Sequence, residues 1–123
     1  GAVLSELLKQ KNIKNDKYDL FFYPDESYKL KQYDLITSTE VFEHLSKPFD
    51  ILDTLIPLLN KNGYLILMTK FPPKSDKEFI NWWYRRDITH IVFFTPKSFE
   101  IIALKYNLNL LSVIDDNIVV FQK

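Results

Sequence analysis

The sequence predicts an α/β fold with a mostly parallel sheet that ends in an antiparallel hairpin. Three observations support this prediction. Segments with helical spacing of apolar residues alternate with short apolar runs, as in strand–helix–strand crossovers. Two of these runs, Tyr33–Ser38 and Tyr64–Thr69, are apolar over most of their length, as in strands buried within parallel sheets. The last two, Leu108–Ile114 and Ile118–Gln122, flank an Asp-Asp-Asn turn and predict a hairpin.

Length and composition are those of one globular domain, and we expect residues 1–123 to form a single one. The chain has 123 residues, of which 46% are hydrophobic and 26% charged. Its 16 basic and 16 acidic side chains cancel, which argues against a nucleic-acid binder. No apolar run approaches the roughly 20 residues that span a bilayer, and cysteine is absent. We therefore expect a cytoplasmic protein without a membrane partner.

The first third of the chain predicts a helix, two strands and a short helix. Ala2–Lys11 carries apolar residues on one helical face. Tyr18–Phe22 is an aromatic run that predicts a strand before the Tyr33 strand. Thr39 is expected to cap a short helix that continues through His44, because its hydroxyl can accept from free backbone amides.

The middle of the chain predicts a helix followed by the Tyr64 strand. Pro48 suits the first turn of this helix, and Pro57 should kink or shorten its last turn. Asn62-Gly63 predicts a left-handed helix end. The apolar stripe of the helix consists of Phe49, Leu52, Leu55, Ile56 and Leu59.

Two further helices are predicted before the hairpin. Ser75 and Glu78 have the spacing of a capping box, and the helix that they begin should carry Phe79, Trp82 and Trp83. Thr95-Pro96 is a cap followed by a proline at the first helical position. The apolar face of this second helix comprises Phe99, Ile102, Ala103 and Tyr106.

These segments carry a family resemblance. Tyr33–Pro48 (YDLITSTEVFEHLSKP) and Leu58–Thr69 resemble the central part of class I S-adenosylmethionine-dependent methyltransferases, closest to the small-molecule, ubiquinone-biosynthesis-like group. Trp82–Ala103 is similar to a block in members of that group. The resemblance implies a three-layer Rossmann-like sheet. It also implies methyl transfer from S-adenosyl-L-methionine to an oxygen, nitrogen or carbon atom of a small-molecule acceptor.

The sequence departs from the family pattern at its front. Gly1 and Gly63 are the only glycines, so the family's loop of pattern D-x-G-x-G-x-G is absent, as is the strand before it. Residues 1–4 resemble only the end of that loop and the helix behind it. We therefore expect an N-terminally truncated methyltransferase domain that by itself binds the cofactor poorly or not at all and is inactive. An exposed sheet edge left by a missing strand could pair with a second copy.

The resemblance implies a cofactor site at the carboxyl ends of the strands. Asp19 lies where the family often places an acid for the two ribose hydroxyls, although it could instead be a solvated loop acid. Gly1, if native, would allow close approach of the backbone to the cofactor. The polar residues that end the Tyr33 strand would meet the amino-acid part of the cofactor, or cap the next helix. These residues are Thr37, Ser38, Thr39 and Glu40.

Candidate catalytic residues are His44 and His90, because an imidazole can take a proton from a hydroxyl or amine nucleophile. His44 could equally satisfy backbone carbonyls at a helix end. Glu40 and Glu43 with His44 could bind a divalent ion, but the sequence shows no second pair of ligands, so no metal site is predicted.

Candidate substrate-binding residues are Trp83, Tyr84 and Arg86. Aromatic rings could contact a flat apolar acceptor, and a guanidinium could bind a carboxylate or phosphate. The alternative is a helix whose tryptophans pack on the sheet, with the arginines paired to surface acids. At the level of the whole chain, the alternative to an enzyme is an inactive α/β domain that acts as an interaction or assembly module. Methylation of RNA or protein is disfavoured by the neutral charge.

Overall fold

The computed structural model describes residues 2–123, so the predicted role of Gly1 lies outside the described residues. The chain divides into two compact units, one up to Gln32 and one from Tyr33 to Lys123. Within the described residues, every helix is too short or too polar to span a bilayer.

The first unit contains the predicted N-terminal helix, α1 (Ala2–Gln10). Behind it, the chain folds back through a hydrogen bond of 2.6 Å from the Ser5 hydroxyl to the Asn15 side chain. A short 3-10 helix, Glu26–Leu30, follows and is capped by Asp25, whose side chain accepts from the Ser27 amide. Local hydrogen bonds thus organise this unit.

The strand predicted at Tyr18–Phe22 is wrong. The segment is a turn closed by one isolated bridge between Asp19 and Tyr23. One carboxylate oxygen of Asp19, Oδ1, accepts from the amides of both Phe21 and Phe22 at 2.9 Å. A short acidic side chain that binds its own backbone in this way favours a turn over a strand.

The second unit contains four strands and three α-helices. In chain order they are β1 (Tyr33–Thr39), α2 (Pro48–Leu55), β2 (Leu59–Met68), α3 (Asp76–Asn81), α4 (Pro96–Tyr106), β3 (Asn109–Ile114) and β4 (Ile118–Gln122). The strand order is β1-β2-β4-β3. β1 runs parallel to β2, whereas β4 is antiparallel to both β2 and β3. Three of the four strands therefore point the same way, which confirms the mostly parallel sheet with its final hairpin.

One hydrophobic core holds this unit together. Leu65 and Leu67 of β2 alternate with residues on the opposite face of the sheet, and both are fully buried. Phe121 of β4, Leu52 of α2 and Phe99 of α4 join them in a single cluster. The apolar stripes predicted for α2 and α4 are thus the surfaces that attach these helices to the sheet.

Helix starts follow the predicted capping residues. In α4 the Thr95 side chain accepts from the Ser98 amide, and the Ser98 side chain accepts from the Thr95 amide. In α3 the Ser75 hydroxyl accepts from the Glu78 amide. The predicted extent of α3 is wrong, because the helix ends at Asn81 and Trp82 takes an extended conformation. The Trp82 ring contacts those of Tyr84 and Phe93 instead, and these tertiary contacts override helical periodicity here.

The connection between α2 and β2 corrects another prediction. Pro57 shortens the helix as expected, and Ile56–Leu58 is a 3-10 turn. Asn62 is left-handed (φ 64°), but it lies within β2 and does not end a helix. Gly63 is required by close packing, since a Cβ there would lie 2.9 Å from the Asn60 carbonyl oxygen.

The helix predicted to begin at Thr39 is also wrong. β1 continues to Thr39, which pairs with Met68, and a 3-10 turn, Phe42–His44, follows with no side-chain cap. The chain reverses at Glu40, a left-handed residue (φ 51°) whose amide donates to the Met68 carbonyl at 2.8 Å. Thr39 therefore pairs within the sheet, although its local propensity favours a helix cap.

Candidate functional site

The candidate site lies where β1 and β2 end. These strands are parallel and in register up to Thr39 and Met68, so their carboxyl ends meet at one edge of the sheet. Glu40 follows β1 directly, and Thr69 follows β2. Ligands of open α/β sheets bind outside the carboxyl ends of such strands, so this edge is the candidate ligand site.

Tyr84 connects the two strand ends from the interior. Its side chain is 1% exposed, and its hydroxyl donates to Glu40 Oε2 at 2.9 Å. The Thr69 hydroxyl lies 3.4 Å from the same phenol oxygen. Burial raises the pKa of Tyr84 well above its usual value, so the phenol remains a neutral donor. Burial also raises the pKa of the Glu40 carboxyl; the Tyr84 hydroxyl opposes this shift, and the neighbouring Glu43 carboxyl adds to it.

Glu43 is a buried carboxyl whose oxygens lack hydrogen-bond partners. Its side chain is 0% exposed, and neither Oε1 nor Oε2 makes a hydrogen bond of good geometry. Burial raises the pKa of this carboxyl, but its own amide and the nearby Tyr84 and Thr69 hydroxyls outweigh burial and hold the pKa below its usual value. Tyr84 and Thr69 are its hydroxyl neighbours. The single phenolic proton of Tyr84 is engaged by Glu40, and the Thr69 hydroxyl is directed at the phenol oxygen. A buried polar atom without a partner costs free energy, so this carboxyl is an unusual feature of the fold.

His44 and His90 lie side by side, with ring centroids 4.7 Å apart. Nδ1 of His44 is 3.0 Å from the Thr89 carbonyl oxygen, and Nδ1 of His90 is 2.7 Å from the Tyr84 carbonyl oxygen. Since a carbonyl oxygen only accepts, both Nδ1 atoms carry hydrogen. In the neutral form each Nε2 then offers its electron pair. His44 Nε2 lies 3.8 Å from Glu43 Oε1.

A compact turn brings His90 to this position. The Asp87 carboxylate accepts from the amide and the hydroxyl of Thr89 at 2.9 and 2.6 Å. The hydrogen bond from the Thr89 hydroxyl, and to a smaller extent the one from the Thr89 amide, holds the pKa of the Asp87 carboxyl below its usual value. The following amides, of Ile91 and Val92, donate to the Glu43 carbonyl oxygen at 2.8 and 3.1 Å. The turn is thereby tied to the 3-10 segment that carries His44.

The residues predicted for cofactor binding lie on β1, directly after β1 and in the first unit. Thr37 and Thr39 are exposed on β1, and Ser38 is half-buried between them. Asp19 belongs to the first unit, where Oδ1 holds the turn and Oδ2 has no hydrogen bond of its own. Glu40 is engaged by Tyr84.

The residues predicted to bind substrate separate into two kinds. Trp83 is 62% exposed and has the Lys70 ammonium 5.1 Å from its ring centroid; Arg86 is also exposed. Tyr84 differs from the expectation, because its buried side chain supports Glu40 and does not line a surface. Trp82 is half-buried, with its ring 5.5 Å from that of Phe93.

Sequence reasoning missed Thr69 and the proximity of His90 to Glu43. Thr69 had one available signal, since it is the first polar residue after the apolar run of β2. Nothing in the spacing of Glu43 and His90 indicates that they meet. Their proximity, with ligand atoms within 4.8 Å of each other, depends on how the long segment between β2 and α4 returns to the strand ends.

A family model described as a methyltransferase domain matches residues 2–113. The chain belongs to this family. The match covers most of the sequence and confirms the resemblance to class I S-adenosylmethionine-dependent methyltransferases. No curated protein matches the sequence of this methyltransferase domain.

Solved structures support the fold of the domain. The crystal structure of OxaC is similar over 98% of this chain and 33% of its own, with a TM-score of 0.60 and 16% identity. The structure of OxaC in complex with sinefungin and meleagrin matches equally well, with a TM-score of 0.60, 15% identity and the same coverage. The domain thus spans about a third of the length of OxaC. At this identity the likeness establishes the Rossmann-like α/β fold alone.

Proposed function

We propose that this methyltransferase domain acts in methyl transfer from S-adenosyl-L-methionine to an oxygen, nitrogen or carbon atom of a small-molecule acceptor. One observation carries the proposal: two imidazoles with available Nε2 atoms lie beside two carboxyls at the carboxyl ends of adjacent parallel strands. The OxaC complex, which contains sinefungin, an analogue of S-adenosyl-L-methionine, and meleagrin, supports a small molecule as the acceptor.

The described residues fit part of the cofactor. Hydroxyls of Thr37, Ser38 and Thr39 have no partner within the described chain, so they are free to donate to a carboxylate or accept from an ammonium group. Asp19 Oδ2 is free to accept from a ribose hydroxyl. When bound, the cofactor supplies a methyl group activated by its sulfonium charge. We assign these residues, with Glu40, to cofactor binding.

We place the methyl acceptor next to the His44 and His90 rings. An O–H or N–H of the acceptor would donate to Nε2 of His44 or His90, and the same Nε2 would hold the proton as the bond to the methyl carbon forms. The Nδ1 hydrogen bonds to backbone carbonyls fix the rings for this role. The exposed Trp83 ring and Arg86 guanidinium could contact a flat acceptor and its anionic group.

We also predict the kind of binding partner and the cellular location of the protein. The balanced charge favours a small molecule over a nucleic acid. β1 and β3 are the edge strands of the described sheet, and either could pair with a second copy. We expect a cytoplasmic location.

A titration followed by amide NMR tests the cofactor assignment. Because we expect weak binding, the ligand is S-adenosylhomocysteine at up to millimolar concentration. The amides of Thr37–Glu40 should shift along a saturable binding curve, and the amide of Asp19 should also shift. Asp19→Asn should weaken binding because an amide replaces one acceptor oxygen with a donor. The matched control Asp76→Asn, at the start of α3, should bind as the unmodified chain does.

Two results would contradict the proposal. Shifts at Asp19 with none at Thr37–Glu40 would remove the residues that end β1 from cofactor binding. Equal weakening by Asp19→Asn and Asp76→Asn would remove Asp19 from the site.

A further inference from the structure

The first unit contains a groove to which the proposed function assigns no ligand. Its volume is about 400 Å³, and sites that bind small molecules usually measure about 300–1,000 Å³. It is lined by Ser5 and Lys9 of α1 and by residues of the following segment, among them Lys17 and Phe22. All of its lining residues precede Tyr33, so the groove lies within one compact unit. We refer to it as the Lys17 groove.

Hydrogen bonds fix the segments that line the Lys17 groove. The Ser5 hydroxyl donates to Asn15 Oδ1 at 2.6 Å, and the Asn15 side-chain amide donates to the Ser5 carbonyl oxygen at 3.3 Å. Tyr23 exchanges backbone hydrogen bonds of 2.9 and 3.0 Å with Asp19. Asp25 caps the 3-10 helix that follows. The groove is therefore formed before a ligand arrives, which lowers the entropic cost of binding.

The two acidic residues of the groove are already engaged. The Asp16 carboxylate accepts from the Lys31 ammonium at 2.8 and 2.9 Å. The Asp25 carboxylate accepts from the amide and from the hydroxyl of Ser27, both at 2.9 Å. Their local partners thus occupy both carboxylates.

The two basic residues of the groove lack such partners. Within residues 2–123, the ammonium groups of Lys9 and Lys17 make no hydrogen bond and no ion pair. Lys17 Nζ lies 3.5 Å from the centroid of the Tyr23 ring, and this cation–π contact still leaves the ammonium with hydrogen-bond donors for a ligand. With Lys31 counted, three lysines exceed two aspartates by one positive charge. The groove therefore favours an anion.

Aromatic side chains supply the apolar surface of the groove. Phe22 and Tyr23 line it, together with Pro24 and Tyr28. The Phe22 side chain is 78% exposed, so a planar ring can stack against it. Such a ring would also remove the apolar surface of Phe22 from water, which favours binding.

We propose that the Lys17 groove binds a small planar aromatic compound that carries one anionic group, such as an aromatic carboxylate. Its ring stacks on Phe22, and its anionic group pairs with the ammonium groups of Lys9 and Lys17. Asp19, which we assign to the ribose of the cofactor, does not line the groove. Binding here therefore requires neither cofactor nor acceptor, and the proposal can fail while the proposed function holds.

The test measures binding of 2-naphthoate to the full chain without cofactor. The probe is titrated to millimolar concentration and followed by amide NMR. We expect one naphthoate per chain, with shifts at the amides of Lys9, Lys17, Phe22 and Ser27. The matched probe 2-naphthamide has the same ring without the charge, and it should bind about threefold more weakly or worse because the charge pairs are lost. Added salt should weaken the binding of naphthoate but not of naphthamide.

Matched variants locate the site. Lys9→Gln and Lys17→Gln should each weaken naphthoate binding by about two- to fivefold and leave naphthamide binding unchanged. Lys14→Gln replaces an exposed lysine of the same unit that does not line the groove, and it should leave the binding of both probes unchanged. Circular dichroism verifies that each variant is folded.

Four results would overturn the proposal. The first is the absence of amide shifts at the highest naphthoate concentration, and the second is equal binding of naphthoate and naphthamide by the unmodified chain. The third is equal weakening of naphthoate binding by Lys17→Gln and Lys14→Gln. The fourth is displacement of naphthoate by S-adenosylhomocysteine, which would make the groove part of the cofactor site.

Discussion

The Tyr84 hydroxyl donates a 2.9 Å hydrogen bond to the Glu40 carboxylate and so joins residues 44 positions apart. Glu40 is the left-handed residue directly after β1, and Tyr84 is a buried residue of the segment before α4. This bond attaches the segment before α4 to the carboxyl end of β1, where the candidate functional residues lie. The same bond engages the phenolic proton of Tyr84, which lies next to the buried Glu43 carboxyl.

We expect Tyr84→Phe to destabilise the domain by about 1.5–3 kcal/mol, because the Glu40 carboxylate loses its donor within a buried site. Urea unfolding followed by tryptophan fluorescence measures the change. Tyr64→Phe, on the partly exposed face of β2, is the matched control and should stay within about 0.5 kcal/mol. Equal effects of the two substitutions would show that the Tyr84–Glu40 bond contributes nothing particular.

Tyr106 should titrate late. Its hydroxyl donates to Asp53 Oδ1 at 2.7 Å, and burial followed by Asp53 raises the pKa of Tyr106 to about 12. The raised pKa means that the neutral phenol stabilises the fold below pH of about 10, and that this stabilisation is lost as the pH rises through about 12. The difference in tyrosinate absorbance between the unmodified chain and Tyr106→Phe should have its midpoint near that value.

Asp53→Asn provides the control for this titration. Removing the carboxylate should move the Tyr106 midpoint part of the way back towards about 10, while burial keeps it from returning fully. A midpoint near 10 in the unmodified chain would contradict the contact between Tyr106 and Asp53.

Gly63→Ala should destabilise the domain by about 1–3 kcal/mol, the usual cost of forcing atoms into a packed region. The added Cβ would lie 2.9 Å from the Asn60 carbonyl oxygen and 3.2 Å from that of Asp34. Urea unfolding measures the effect, with the exposed neighbour Lys61→Ala as the control. A cost no larger than that of Lys61→Ala would mean that the close approach is absent.

Leu67→Ala should cost about 2–5 kcal/mol, because it opens a cavity between the sheet and its helices. Leu67 is 1% exposed, whereas Leu104 on the outer face of α4 is 83% exposed. Leu104→Ala should therefore change the free energy of unfolding by about 0.5 kcal/mol or less. Thermal unfolding of both variants gives the comparison, and similar losses would contradict the assignment of the core.

The elements predicted well are those with strong local signals. α4 begins at Thr95-Pro96 because cap and proline agree, and the hairpin turns at Asp115 and Asp116 because short polar residues accept left-handed backbone. The elements predicted wrongly depend on partners distant in sequence. Thr39 joins the sheet because Met68 is beside it.

The candidate site shows the same division. His44 and His90 were identified as chemically capable residues, but a sequence carries no signal that their rings lie 4.7 Å apart. The burial of Tyr84 was not predictable either, because an aromatic residue between another aromatic and two arginines fits a surface wall as well as a core.

By itself, the sequence determined the fold class and most of the helix and hairpin boundaries, since these depend on apolar period, caps and turn residues acting over a few positions. The tertiary structure alone decided that Glu43 is buried without a hydrogen bond of good geometry and that two imidazoles face it. Long-range packing controls both features: the segment between β2 and α4 returns to the end of β1 through hydrogen bonds to the backbone of Glu43. These bonds join residues that are far apart along the chain, so no periodic pattern in the sequence indicates them.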